Sequence, residues 1–234
     1  MHQLLMGQIL KDIYSDTAIA SLLGFKGGTC AYFLYNLPRF SVDLDFDLLE
    51  TGVKTQKLVL EKMAVILTKY GKIIEKANKN NTLFFLLSYG AEDRNIKVEI
   101  STRKLKYVVR EKFEFNDYLG ISLLTAKKDY LFAGKLLALT LRGELAMRDV
   151  FDIDYFSKNN WEIDEEVITA WVDKPVAQHL ADCLARIEKI NEKNVLSGLG
   201  EMLNEKQKAW AKKELKKDVV FQLKNYLSVL ERKK

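Results

Sequence analysis

Three aspartates alternate with apolar residues between positions 41 and 48, so Asp43, Asp45 and Asp47 project from one face of the strand that this alternation predicts. Successive carboxylates on such a face stand about 7 Å apart and repel one another, and aspartate is a poor strand former. Lysine, threonine or mixed charges would serve a merely solvated face at lower cost. Because Mg²⁺ prefers one or two carboxylates together with water and phosphate oxygens, the pattern favours a divalent-cation site.

A second alternating segment, residues 95 to 101, carries Lys97, Glu99 and Ser101 on its polar face. If this strand lies near the first, Glu99 becomes a third carboxylate beside Asp43 and Asp45. Such a cluster could hold two Mg²⁺ ions across an in-line displacement at phosphorus. Taken alone, Glu99 is also compatible with an ordinary surface position.

A glycine turn at Gly27, Gly28 and Thr29 precedes the acidic strand and opens an expected short helix. Two glycines let the backbone approach a ligand closely, and the first turn of a helix offers unpaired N–H groups to a phosphate. Arg39, in the loop before the acidic strand, adds a candidate phosphate or base contact. The alternatives are a purely geometric role for the glycines and a solvent-exposed loop arginine.

The second half of the chain contributes a lysine in an apolar setting. Lys135 lies within AGKLLALTL, so it must extend to water, pair with an acid or meet a phosphate. Arg142 falls on the same helix face, and Asp149 and Asp152 follow at a spacing of three. These four residues could bind a nucleotide, or they could form ion pairs that only hold two helices together.

Other counts exclude whole classes of enzyme. The chain has two histidines, His2 and His179, too few for a histidine-rich metal site or a convincing Ser-His-Asp triad. Cys30 and Cys183 are far apart in sequence and are read as reduced thiols of a cytoplasmic protein. The N-terminal segment lacks a basic leader, and no apolar run reaches the roughly 18 residues of a membrane span. Neither export nor membrane insertion is expected.

The periodicity predicts an α+β fold in two parts. Residues 1 to 122 should form a mixed-sheet domain preceded by two helices, with a helix over 54–69 and strands over 71–77, 82–89 and 95–101. Residues 123 to 234 should form an all-helical domain, including helices over 175–190 and 201–230.

Charge is unevenly distributed along the chain. The net charge is +5, yet residues 204 to 234 hold ten basic and four acidic residues. Trp210 and Tyr226 occur among the lysines of this basic stretch, a combination that could follow an RNA backbone. A solvated helix face whose lysines pair with neighbouring acids is the alternative.

Together these blocks resemble a known family. KGGTCAYFLYNLPRFSVDLDF is similar to the Gly-Gly plus Asp-x-Asp signature of the nucleotidyltransferase superfamily, and in particular to the AbiEii/AbiGii-type nucleotidyltransferase toxins of toxin–antitoxin and abortive-infection systems. KLLALTLRGELAMRDVFDIDYF resembles the later motifs of that family. The resemblance spans residues 20 to 158 with all blocks in order.

The resemblance implies a polymerase-beta-like nucleotidyltransferase domain followed by a helical domain that completes the site. It implies that Gly27, Gly28 and Thr29 hold the triphosphate and that Asp43 and Asp45 bind Mg²⁺, with Glu99 as a less secure third ligand. It also implies phosphate contact by Lys135 and an essential acid at Asp149 or Asp152. We add Arg39, Ser41 and Arg142 to the predicted nucleotide-binding residues.

The resulting hypothesis is a Mg²⁺-dependent enzyme that moves an NMP group from an NTP to an acceptor. The resemblance implies a toxin that acts on tRNA 3′ ends and has a cognate antitoxin. A nucleotidyltransferase acting on an antibiotic or a metabolite is one alternative, because the same kind of site serves many acceptors. A non-catalytic RNA- or partner-binding protein on a degenerate fold is another.

Overall fold

The structure, a computed structural model, describes residues 2–90 and 95–232 and divides into two compact units between Lys127 and Lys128. The expected boundary lay five residues earlier, between positions 122 and 123. The helices and strands of the first unit are α1 (His2–Ser15), β1 (Leu23–Lys26), α2 (Gly27–Leu34), β2 (Leu44–Leu48), α3 (Val53–Thr68), β3 (Lys72–Lys79), β4 (Thr82–Ser88), β5 (Asn95–Ser101), β6 (Phe113–Tyr118) and β7 (Ile121–Ala126).

The seven strands form one mixed sheet in the order β3-β4-β5-β2-β1-β7-β6. At its centre β1 runs antiparallel to β2, whereas β2 runs parallel to β5 and β1 parallel to β7. Because Asp45 is the register partner of Lys26 on one side and of Glu99 on the other, the acidic strand lies between β5, which carries Glu99, and β1, which leads directly into the glycine turn.

Alternation along the central strands gives the sheet one apolar face. Phe46 of β2, Phe85 of β4 and Val98 of β5 are fully buried. Helices α1 and α3 pack against each other and against strands of this sheet, and α2 packs against β1 and β2. Burial of these large apolar side chains supplies the main stabilisation of the sheet, at about 25 cal/mol per Å² of apolar surface. The polar positions of β2 and β5 are thereby held on a rigid support.

Strands β1 and β6 were not predicted from the sequence. Before β1, the second of the two expected helices is only a short 3₁₀ turn, Ala20–Leu22, after which the chain enters β1. Four residues, LGFK, are too few to show an alternation. Strand β6 was also not predicted, since FEFNDY ends in residues that disfavour strands. The helix over 54–69 and the strands β3, β4 and β5 are confirmed within about two residues.

The second unit is helical, with α4 (Lys128–Leu141), α5 (Met147–Lys158), α6 (Glu165–Val172), α7 (Val176–Glu188), α8 (Glu205–Trp210) and α9 (Lys216–Arg232). Helix α5 packs against α4 and α9, and α7 packs against α4, α6 and α9. Asp164 caps α6 by accepting a hydrogen bond from the Val167 backbone N–H at 3.1 Å. The single helix expected over 201–230 is instead four successive segments. A 3₁₀ turn at Gly200–Met202 is followed by α8, by a π-helical turn at Ala211–Leu215 and by α9.

Within residues 2–90 and 95–232 no helix is both long and apolar enough to cross a membrane. The α+β class is confirmed.

Candidate active site

The acidic strand of the first unit offers two half-buried carboxylates. Asp43 lies immediately before β2 and Asp45 is its second residue. The third aspartate of the alternation, Asp47, is 2% exposed and forms an ion pair with Lys26 at 2.5 Å. The three aspartates of this face are therefore not equivalent. Asp47 is buried in an ion pair, whereas Asp43 and Asp45 are partly accessible to solvent.

Glu99 lies beside this pair, as the sequence predicted, because β5 is the parallel neighbour of β2. The ammonium of Lys97 stands 3.2 Å from Asp43 Oδ2 and 3.7 Å from Glu99 Oε2. Among the residues that the structure describes, no group of three or more His, Cys, Asp or Glu side chains is arranged to hold a metal ion. A lysine instead lies against two of the three carboxylates predicted to bind the metal, Asp43 and Glu99.

The electrostatics of Lys97 show that this place attracts a cation. Burial lowers the pKa of Lys97, but attraction to Asp43, Glu99 and Asp45 outweighs burial and leaves the pKa above its ordinary value. Sequence reasoning placed Lys97 on the polar face of β5 but gave it no role. The side chains of Asp43 and Asp45 supply the hard oxygen donors that Mg²⁺ prefers, and the Lys97 ammonium lies beside Asp43. These residues therefore fit a divalent cation.

The glycine turn is packed directly against the acidic strand. Gly27 has φ +81°, in the left-handed region, and a Cβ atom there would overlap the Asp45 carboxylate. A Cβ atom at Gly28 would lie 2.6 Å from a guanidinium nitrogen of Arg39 and 3.1 Å from Ser41 Oγ. The glycines therefore have a specific geometric role: they leave room for Asp45 and Arg39 to approach the start of α2.

Hydrogen bonds tie the loop before β2 to the same turn. The Thr29 hydroxyl donates to Ser41 Oγ at 2.9 Å and also contacts the backbone carbonyl of Asp43. Arg39 is 3% exposed and donates to the Phe40 carbonyl at 2.9 Å. The alternative of a solvent-exposed loop arginine is therefore wrong. A buried guanidinium beside Gly28 places positive charge at the N-terminal end of α2, where the helix dipole is also positive.

In the second unit, Lys135 is held between two buried carboxylates. Its ammonium lies 2.7 Å from Asp149 Oδ1 and 2.7 Å from Asp152 Oδ2, and Arg142 Nη1 lies 2.6 Å from Asp149 Oδ2. Asp149 and Asp152 are 1% and 0% exposed. Helices α4 and α5 are thus joined through these charges, which is the structural alternative that the sequence left open.

The pKa of Asp149 reflects the same contacts. Burial raises the pKa of this carboxyl, but Lys135 and Arg142 outweigh burial and hold the pKa below its ordinary value. The carboxylate is therefore ionised, and the Lys135 ammonium bound to it is already charge-compensated.

The basic stretch of α8 and α9 is only partly available to a polyanion. Lys208 pairs with Glu205 at 2.8 Å, and Lys216 donates to the Ile190 carbonyl at 2.8 Å. The two aromatic residues are used internally. Trp210 packs edge-on against Phe151 and lies under the Lys158 ammonium, and the Tyr226 hydroxyl donates to the Trp161 carbonyl at 2.7 Å. Lys233 and Lys234, which end the stretch, lie outside the described residues.

The fold resembles those of solved nucleotidyltransferases. A protein from H. pylori described as a nucleotidyltransferase is 21% identical, with a TM-score of 0.64 and coverage of 100% of this chain and 96% of that one. JHP933 from Helicobacter pylori is 22% identical, with a TM-score of 0.57 and coverage of 99% and 95%. MenT4, a nucleotidyltransferase toxin from Mycobacterium tuberculosis H37Rv, is 19% identical, with a TM-score of 0.56 and coverage of 97% and 92%. At these identities the likeness concerns the fold.

A search among curated proteins gives no match. A family model, described as the nucleotidyl transferase AbiEii toxin of type IV toxin–antitoxin systems, matches residues 8–224, nearly the whole chain. Membership of that family implies an NTP substrate and an antitoxin partner. The chain belongs to the AbiEii nucleotidyltransferase toxin family and is a nucleotidyltransferase.

Proposed function

We propose that this enzyme transfers an NMP group from an NTP to the 3′ end of an RNA, with tRNA as the acceptor and Mg²⁺ as the metal, in the cytoplasm. The observation that carries the proposal is the contact of the glycine turn with both Asp45 and Arg39. Candidate phosphate-binding and metal-binding groups therefore meet at one place in the first unit, as a transfer of a phosphorus group requires.

In the proposed reaction, an acceptor hydroxyl oxygen forms a bond to the α-phosphorus of the NTP. The bond from that phosphorus to the bridging oxygen breaks, pyrophosphate leaves, and the hydroxyl proton passes to solvent. The first turn of α2, at Gly28 and Thr29, presents backbone N–H groups toward the triphosphate, and the Arg39 guanidinium adds positive charge beside them. These groups bind and orient the leaving pyrophosphate.

The carboxylates act at the other side of the turn. Asp43 and Asp45 hold the metal, and Glu99 stays a predicted third ligand. When bound, Mg²⁺ would offset the negative charge of the phosphates and favour ionisation of the acceptor hydroxyl. Ser41 positions the Asp43 segment through its hydrogen bond with Thr29. The Gly27 turn fixes the side-chain position of Asp45, since any larger residue at 27 would displace it.

The ion-paired residues around Lys135 in the second unit have two candidate roles, phosphate binding and stabilisation of helix packing. Phosphate binding by Lys135 would require its ammonium to exchange one of two carboxylate contacts at 2.7 Å for a phosphate oxygen. We infer that Asp149, which also accepts from Arg142, keeps its contact, so Asp152 is the acid that Lys135 releases. Without nucleotide, the same ion pairs stabilise the packing of α4 on α5.

An RNA acceptor is supported by charge rather than by stacking groups. Lys206 and Lys213 are exposed and form no ion pair within the described part of the chain, so they can meet phosphates. Because Trp210 and Tyr226 pack internally, we expect this stretch to follow an RNA backbone without reading bases.

The proposal is tested by incubating the protein with each labelled NTP and total RNA in Mg²⁺. We expect label on the 3′ end of tRNA, and its loss in EDTA. Asp43→Ala and Asp45→Ala should each lower transfer about a hundredfold or more, because catalysis of this kind depends on electrostatic stabilisation. Normal transfer by both variants would refute the assignment of the site.

The same experiment separates the alternatives. With a small-molecule cell extract added to the incubation, label on a small molecule but not on RNA would support a metabolite or antibiotic acceptor. If no species is labelled and calorimetry detects no binding of Mg²⁺-NTP, the chain is a non-catalytic member of the family.

A further inference from the structure

A lysine ammonium lies within 4 Å of two of the three carboxylates predicted to bind the metal. The Lys97 Nζ atom lies 3.2 Å from Asp43 and 3.7 Å from Glu99, and Asp45 also contributes to its stabilisation. Lys97 thus forms ion pairs with two of the three carboxylates that the sequence analysis assigned to the metal.

The surroundings make this contact exchangeable. The Lys97 side chain is 30% exposed, and those of Asp43 and Glu99 are 24% and 39% exposed. A flexible lysine stem at a half-exposed position can move its head group into water at little cost. The carboxylates would not then be left as buried, unpaired charges.

We propose that Lys97 is a built-in counter-ion that competes with the divalent cation for Asp43 and Glu99. In the metal-free protein it offsets the mutual repulsion of the carboxylates and holds Asp43, the residue before β2, beside β5. Metal binding then requires the ammonium to withdraw, so Lys97 weakens metal affinity. This inference rests on the proposed function, because it takes these carboxylates as the metal ligands.

The competition follows from Coulomb's law at short range. Two unit charges about 3 to 4 Å apart near a protein surface interact strongly enough to change an affinity by about tenfold or more. Removing the ammonium therefore exposes a site of higher negative potential to the incoming ion. A lysine with a purely structural role would have the opposite effect, since its loss would loosen the site and weaken metal binding.

The test is a titration of the protein with Mn²⁺ in the absence of nucleotide. Binding is measured by calorimetry and by the electron paramagnetic resonance signal of free Mn²⁺. We expect Lys97→Met, which keeps the length of the stem, to bind Mn²⁺ about tenfold more tightly than the wild type. Lys97→Gln serves as a second variant if Lys97→Met folds poorly. Lys97→Arg, which keeps the charge, should bind Mn²⁺ as the wild type does.

Lys62→Met is the matched control. Lys62 lies 3.2 Å from Asp16 in the same unit, at an exposure of 42%, so its substitution removes the same charge and a similar ion pair away from the candidate site. Its Mn²⁺ affinity should not change. Heating with and without Mn²⁺ adds a second readout, since the metal should raise the melting temperature more in Lys97→Met than in the wild type.

Equal or weaker Mn²⁺ binding by both Lys97→Met and Lys97→Gln overturns the competition, and so does equal tightening in Lys62→Met. Failure of the proposed function is seen separately. In that case labelled NTP is not transferred by the wild type, whatever the order of the Mn²⁺ affinities.

Discussion

Lys97 and Lys135 are each held between two carboxylates, yet the two sites differ in almost every physical respect. Lys97 lies 3.2 and 3.7 Å from carboxylates that are 24% and 39% exposed. Lys135 lies 2.7 Å from both of its partners, which are 2% and 0% exposed as side chains. A loose, solvated arrangement exchanges its cation at low cost, whereas exchange in a tight, dry one is costly because it leaves a buried carboxylate without its partner.

Lys158 provides an intermediate case in the second unit. Its ammonium lies 2.6 Å from Asp218, which is 32% exposed, and 3.0 Å from Asp154, whose side chain is 6% exposed. One partner is therefore solvated and the other is buried. The three lysines form a series in which burial of the acids, more than the number of ion pairs, should set what each lysine contributes.

The largest expected difference concerns folding stability. Lys135→Met leaves Asp149 and Asp152 buried without their shared cation and should cost about 3–5 kcal/mol of unfolding free energy. Lys97→Met should cost less than about 1 kcal/mol, since its partners are screened by water. Urea unfolding followed by far-ultraviolet circular dichroism measures both. Tryptophan fluorescence adds a check on Lys135→Met alone, because all three tryptophans lie after position 160.

Equal costs for the two variants would show that burial of the partner acids does not separate the sites. Asp152→Asn in the Lys135→Met background is the matching control: it removes one of the orphaned charges and should recover part of the lost stability.

A smaller effect is expected from Asp154. Burial raises its pKa to about 6, although Lys158 opposes this, and its Oδ1 atom is buried without a hydrogen-bond partner among the described residues. Between about pH 4 and 6 the folded state therefore holds a proton that the unfolded state has lost. Stability from this group is present at the lower pH and declines as the pH rises, by about 2 kcal/mol.

Asp154→Asn should remove this decline. Between pH 4 and pH 7 the unfolding free energy of the variant should therefore rise by about 2 kcal/mol relative to that of the wild type, as measured by urea unfolding at each pH. Asp218→Asn, at the solvated end of the same lysine, should leave the decline in place. Asp149 has the opposite sign, because its lowered pKa gives stability that is lost only as the pH falls below about 4. A wild-type stability that rises steadily from pH 4 to 6 would contradict the role assigned to Asp154.

The smallest expected effect concerns lysines without acidic partners. Lys206→Ala and Lys213→Ala should each weaken RNA binding a few-fold at low salt and reduce the slope of log K against log salt by about 0.7. Lys208→Ala should change the slope less, since Lys208 is already paired with Glu205. Gel shifts at a series of salt concentrations measure the slopes. RNA binding that is absent or insensitive to salt would exclude the basic stretch as an acceptor surface.

Much of the fold was predictable because its signals are local. The alternation in 95–101 predicted β5 and put Lys97 and Glu99 on one face, and the structure agrees. Strand β1 was not predictable from four residues, and α9 could not be separated from α8 because a π-helical turn keeps nearly the same periodicity.

The sequence predicted which residues belong to the candidate site, but not the ion pairs and contacts that these residues form. The alternation identified three aspartates, yet the ion pair that takes Asp47 out of the set depends on Lys26, which is contributed by an unpredicted strand. The role of Lys97 depends on the pairing of β5 with β2, and burial of Arg39 depends on the space above Gly28. Each of these is a contact between distant segments, which single-sequence periodicity does not report.

The order of strands in the sheet also bears on how the site comes into being during synthesis. Asp45 pairs with Lys26, 19 positions away, but with Glu99 only across 54 positions, and Phe25 pairs with Thr125 across 100. The hairpin-like β1–β2 pair that brings the glycine turn to Asp45 can therefore form early on the ribosome, and β5 and β7 must arrive later. Until they do, both sides of the pair are open strand edges, so the nascent enzyme is most prone to aggregate before residue 126 emerges.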